Sequence, residues 1–266
     1  MTTLDSDPSV ASCLSTLTKI TALFAPGAST PSNSDVTSTL TDLCSSSVTG
    51  ACPESLIRTQ ITSFVGACNV ELTKTPVQSV QNMYEVFYSM LPLQQSICSK
   101  DDSGNYCVNG PSSTTRDFDE DDSFSISDIL SLLYTKTDNG ALSRRDEATV
   151  PNMSAISANN SMFLFFTPNL SPAQLCVTCL RLIMTAYINF ESDIPFAYPL
   201  SNSILLSGQL ALYTAVQSNC PANFLNGAVT AAGGLSGSSA IPTYSAGYQR
   251  IMALVVGAVT MISIAL

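Results

Sequence analysis

Nine cysteines, at positions 13, 44, 52, 68, 98, 107, 176, 179 and 220, constrain this chain more than any other feature. They are too many and too scattered for a typical cytosolic protein, and in an oxidising compartment they read as a disulfide framework. Each bond formed is worth about 2–4 kcal/mol. The odd count leaves one thiol free or shared with another molecule. Cys98 and Cys107 bracket a turn-rich loop, CSKDDSGNYC, and either bond each other or reach across to Cys176 and Cys179. Those last two stand three apart on one expected helix face and do not easily bond each other. Cys176-x-x-Cys179 also has zinc-ligand spacing. With no histidine and no second such pair in the sequence, no metal or cofactor site is expected.

The C-terminal stretch says where such a framework would work. Residues 233–240 (GGLSGSSA) are mostly small, residues 241–250 (IPTYSAGYQR) form a polar spacer, and residues 251–266 (IMALVVGAVTMISIAL) are apolar throughout but for Thr260 and Ser263. Small site, spacer and greasy terminus make the layout of a glycosylphosphatidylinositol (GPI) attachment signal, whose tail is removed on maturation. A retained membrane helix fits less well, since the apolar run gives roughly 24 Å against a ~30 Å hydrocarbon core. Ser238 leaves a spacer within the usual ~8–12 residues, and Gly237 and Ser236 fit nearly as well. A secretory leader is then required. Residues 1–30 show no charged region followed by a long apolar run, so the leader is expected to have been removed or to precede a misplaced start.

Other signals bear on the same compartment. The net charge is −10, from 20 acidic and 10 basic residues, which repels phosphate backbones and argues against a nucleic-acid partner. Only 11% of residues are charged, and abundant Ser and Thr suit a coat of sugar better than one of charge. Asn152-Met-Ser, Asn159-Asn-Ser and Asn169-Leu-Ser are clustered N-glycosylation sequons, the third weakened by Pro172. In the polar segment 138–150, Arg144-Arg145 is a candidate site for a Golgi processing protease. Asp117, Asp119, Asp121 and Asp128 echo a calcium loop, but Asp122 stands where the turn needs glycine; a solvated acidic run is the expectation.

Helical periodicity fills the spaces between cysteines. Helices are expected over 9–24, 35–44, 53–68, 75–92 (ended by Pro92), 125–136, 171–190 and 201–218, with a short one at 224–232. Residues 162–166 (MFLFF) read as a buried run and a candidate strand. The expected fold is all-α: a disulfide-linked helical domain with flexible acidic and Ser/Thr-rich linkers and a C-terminal GPI signal helix. Its parts are an N-terminal cysteine-rich helical part (1–110), an acidic and dibasic linker with one short helix (111–150), a C-terminal helical part carrying the CxxC pair (151–235) and the removable signal (236–266).

In LPLQQSICSKDDSGNYC (91–107), in LCVTCLRLIMTAYINFESDIPFAYPLSNSILLSGQLALYTAVQSNC (175–220) and in the AAGGL before the tail, the chain resembles an uncharacterised family of fungal secreted, GPI-anchored cell-surface proteins. The resemblance implies surface anchoring and a cysteine-rich, disulfide-bonded helical domain of unknown function. It brings no catalytic residues.

Without histidine, Ser-His and Cys-His nucleophiles are excluded. Glu191 and Asp193 remain as a carboxylate pair of the kind glycoside hydrolysis uses, although such a pair at a helix end is usually just solvated. The leading expectation is a non-catalytic surface or wall glycoprotein, structural or adhesive, tethered to the membrane through its lipid. A module binding a small ligand or cell-wall polysaccharide comes second, and a carboxylate-dependent glycan-active enzyme third.

Overall fold

The computed structural model describes residues 7–24, 32–109, 134–136 and 149–225. Helix α1 (Pro8–Thr21) starts where the Asp7 carboxylate accepts the amides of Ser9 and Val10, with proline in the first turn. It buries Val10, Cys13 and Leu17 along one face. Helix α2 (Asn33–Leu43) opens on a capping box between Ser32 and Asp35. The short α3 (Ser46–Ala51) buries Val48. Helix α4 (Glu54–Ala67) is capped by Pro53 and turns Ile57, Ile61 and Phe64 inward at helical spacing. One π turn, Val70–Lys74, leads to the central helix.

That helix, α5 (Gln78–Cys98), is buried on every side from Tyr84 to Leu93. It begins after Val77 rather than at Thr75-Pro76, and it does not end at Pro92. Proline there removes the hydrogen bond to the Tyr88 carbonyl, yet the helix runs on to Cys98. Packing decides this: α5 lies against α2, α4, the turns Cys107–Asn109 and Ser161–Phe163 and the helix Thr178–Asp193, and Cys98 is bonded to Cys44 at the end of α2.

Strands β1 (Tyr134–Lys136) and β2 (Thr149–Pro151) pair antiparallel, Thr135 opposite Val150. The helix expected over 125–136 is therefore corrected at its last three residues, where cross-strand pairing takes the backbone; 125–133 lie outside the described residues. After α6 (Met153–Ala158), the MFLFF run is not a strand. It forms a 3-10 turn, Ser161–Phe163, followed by left-handed backbone at Leu164 and Phe165. Its burial is as expected, with Met162, Phe163, Leu164 and Phe166 all in the core.

The stretch expected to be one helix from 171 is two. A one-turn α7 (Pro172–Leu175) rises from the capping box of Ser171 and Gln174, and α8 (Thr178–Asp193) starts afresh after Val177. Cys176 and Cys179 thus do not share a helix face. The next helix is shorter than the 201–218 expected. A 3-10 turn, Leu200–Asn202, comes first, and α9 spans Gly208–Asn219. Residues 224 and 225 are in a turn, and the rest of the last expected helix lies outside the described residues.

One cluster of buried side chains runs from Cys13 to Leu225, so the described residues of the two helical parts share a core. Its centre is aromatic. Tyr84 and Tyr88 of α5 meet Phe190 of α8 and Phe196 and Tyr198 of the loop beyond it, with ring centroids 4.7–5.9 Å apart. Tilted and edge-on contacts at such distances add about 0.5–1.5 kcal/mol per pair beyond area burial. The result is an all-α, disulfide-linked domain trimmed by one short β ribbon.

Candidate functional site

Four disulfides organise the domain: Cys13–Cys52, Cys44–Cys98, Cys107–Cys179 and Cys176–Cys220. Cys44, Cys52, Cys176 and Cys220 cap the C-termini of α2, α3, α7 and α9. The bonds therefore pin helix ends, where unpaired carbonyls otherwise allow fraying. Of the pairings the spacing left open, only the reach from Cys107 to Cys179 forms; Cys98 turns instead to Cys44. Cys68, the cap of α4, is half-buried and free. With Cys176 and Cys179 in separate disulfides, the zinc spacing is spent on covalent bonds, and no metal-binding cluster of acids and cysteines occurs among the described residues.

The main polar feature inside the core is Glu85 of α5, 1% exposed. Its Oε1 accepts the Tyr198 hydroxyl at 2.6 Å and the Ile204 amide at 3.0 Å. Its Oε2 accepts the Ser203 hydroxyl and the Leu205 amide, both at 2.7 Å. Four donors replace the water a buried carboxylate loses, which burial of a charge demands. Ser203 in turn accepts the Leu206 amide at 2.8 Å. These bonds take the backbone of 203–206 and explain why the helix waits until Gly208. The sequence held a signal for Glu85: it is the one charge in the apolar run YEVFYSMLPL (84–93).

A second acid, half-buried, lies near the end of α8. Burial pushes the Glu191 carboxyl up to about 7, and the hydrogen bond from Gln209 Nε2, at 2.8 Å to Oε2, only partly offsets this. Asp193, two residues on, is 65% exposed and pairs with Arg58 at 3.0 Å. Residues two apart on a helix do not face each other. The expected carboxylate pair is thus divided, one acid turned to α9 and the other to α4. Arg58 also bonds Glu54 and lies 5.0 Å over the Phe190 ring.

The sequon asparagines bracket α6 and precede α7. Asn152 caps α6 through its Oδ1 on the Ala155 amide at 3.2 Å, and Asn159 Nδ2 donates to the Ala155 carbonyl at 2.8 Å. Asn169 is exposed. Ser161, the hydroxyl of the Asn159 sequon, is 3% exposed in the finished fold, so sugar would have to be added there before folding. The dibasic pair Arg144 and Arg145, the acidic run around Asp117, Asp119, Asp121, Asp122 and Asp128, and the anchor candidates Ser236, Gly237 and Ser238 lie outside the described residues.

A cavity of about 20 Å³ between α1, α2, α3 and α5 is walled by Leu17, Leu43, Val48, Met90 and Leu91. That is room for about one water, and the walls are apolar. Neither Glu85 nor Glu191 lines it.

Fold and framework together define a disulfide-bonded helical domain of the extracellular or secreted class, since four such bonds persist in oxidising surroundings. No protein-family model, curated protein or solved structure matches the chain. No helix among the described residues is long and apolar enough to cross a membrane.

Proposed function

We propose that this chain is a GPI-anchored glycoprotein of the cell surface or cell wall, with a structural or adhesive role and no catalysis of its own. The carrying observation is the disulfide framework, which suits a domain held rigid outside the cell. The tail layout of residues 233–266 supplies the anchor, with attachment at Ser238, Gly237 or Ser236. The resemblance to fungal secreted, anchored surface proteins points the same way. Sugars at Asn152, Asn159 and Asn169 would clothe the 152–171 connection. The packed aromatic centre, where Tyr88 of α5 meets Phe190 and Phe196, suits a rigid structural body.

Expression behind a working secretory leader, followed by phosphatidylinositol-specific phospholipase C, tests the reading. Release of an oxidised, glycosylated polypeptide ending near Ser238 is the expected result. Recovery of a chain still ending in Leu266, with reduced thiols and no lipid, would overturn it.

A further inference from the structure

Two buried oxygens on facing helices lack a donor, and they belong to residues already bonded to each other. Gln209 Nε2 on α9 donates to Glu191 Oε2 on α8 at 2.8 Å. Glu191 Oε1 and Gln209 Oε1 are both buried with no hydrogen-bond partner, and Gln209 is 6% exposed. With Glu191 ionised, both orphans are acceptors, and each costs about 1–3 kcal/mol if left unmade. A single proton on Glu191 Oε1 satisfies both: the acid O–H donates to Gln209 Oε1 while Gln209 Nε2 keeps its bond to Oε2. We propose that Glu191 and Gln209 form a proton-operated latch between α8 and α9, closed as a cyclic acid–amide pair and opened when the proton passes to solvent.

The surroundings leave this proton no competitor. Tyr88 of α5 and Tyr187 of α8 are the phenols nearest in effect to Glu191. Tyr88 donates its hydroxyl to the Ile194 carbonyl, and Tyr187 donates to the Met162 carbonyl at 2.8 Å. Arg58 of α4 is held by Glu54 and by Asp193 on the far side of α8. Helix α9 carries no charged residue. Burial raises the Glu191 carboxyl from 4.5 to about 7. The folded chain therefore binds the proton more tightly than the unfolded one. The latch contributes fully below 4.5 and is lost as pH rises through about 7.

Urea unfolding of the full chain and of Glu191→Gln, from about pH 5 to about pH 8, tests the latch. Glutamine forms the same ring as an amide–amide pair at every pH. The wild type is expected to lose stability relative to the variant as pH rises, by at most about tenfold in the folding constant per pH unit. In the folded wild type, a glutamate carboxyl followed by carbon NMR should titrate near neutrality, and Gln209→Met should move that resonance. The Met variant keeps the readout should Glu191→Gln fail to fold. Parallel pH profiles for wild type and Glu191→Gln, or glutamate carboxyls that all titrate in the ordinary acidic range, would overturn the proposal.

Discussion

The Glu85 carboxylate accepts the backbone amide of Leu205 at 2.7 Å, across 120 residues of sequence. Through this bond and its companions from Tyr198, Ser203 and Ile204, α5 sets the path of the loop between α8 and α9. Glu85→Gln replaces one acceptor oxygen by an NH2 that must face hydroxyl or amide donors. Hydrogen bonds to a charged group contribute about 1.5–3 kcal/mol, and a buried donor left unpaired costs about 1–3 kcal/mol. The variant is expected to lose roughly 3 kcal/mol or more in denaturant unfolding. Hydrogen exchange should show the Ile204 and Leu205 amides protected in wild type and exposed to exchange in the variant.

Gly208 shows a glycine selected by a neighbour. At an exposed helix start, alanine would be better than glycine by up to about 1 kcal/mol. Here a Cβ would run into the amide oxygen of Asn160. Asn160 cannot readily give way, being 8% exposed, left-handed at φ 51 and bonded to the Phe166 carbonyl. Overpacking of this kind costs about 1–3 kcal/mol, so Gly208→Ala should destabilise despite its better propensity. Combined with Asn160→Gly the cost should shrink, a coupling that a double-mutant cycle in thermal unfolding would measure.

How much of this was written in the sequence depends on the range of the interaction. The faces of α1, α4 and α8, and the capping box at Ser171, are set by residues three or four apart and were legible. Pro92 misled because local propensity ends a helix there, while burial on all sides of Tyr84 to Leu93 carries it through. Leu164 and Phe165 hold left-handed backbone that bulky residues rarely adopt, and nothing short of the packed core could announce it. Disulfide partners 39 to 72 residues apart depend on which helix ends meet in space. Glu85 was visible as a charge without a polar face, but its four donors lie more than a hundred residues away. The anchor and processing sites are read from residues that the structure leaves undescribed, so the sequence alone carries them.

Alkali should unfold this domain by a route its tyrosines define. Burial holds the hydroxyls of Tyr84, Tyr88, Tyr187 and Tyr198 well above the ordinary 10, and for Tyr198 the hydrogen bond to Glu85 adds to the effect. The folded state keeps these protons where the unfolded state releases them, so stability is full below 10 and falls as pH rises beyond it. Spectrophotometric titration should find that these four of the nine tyrosines ionise only as the helical circular dichroism collapses. Nine phenols titrating together near the ordinary value, with helix intact, would contradict the burial described.

Cleavage after Arg145 would divide the chain between its helical parts, and the disulfides respond unequally. Cys13–Cys52 and Cys44–Cys98 lie wholly before the cut, and Cys176–Cys220 lies wholly after it. Only Cys107–Cys179 spans it among the bonds of the described residues. The same bond closes the longest loop, where chain entropy gives about 4 kcal/mol of stabilisation. Nicking with a dibasic-specific protease should therefore yield one band without reductant and two with it. In Cys107→Ala paired with Cys179→Ala, the nicked halves should still associate under native conditions, since α5 and α8 share the aromatic centre. They should part in urea without any reductant, where nicked wild type stays joined. Halves that separate from wild type in urea alone would mean that Cys107 and Cys179 are not bonded to each other.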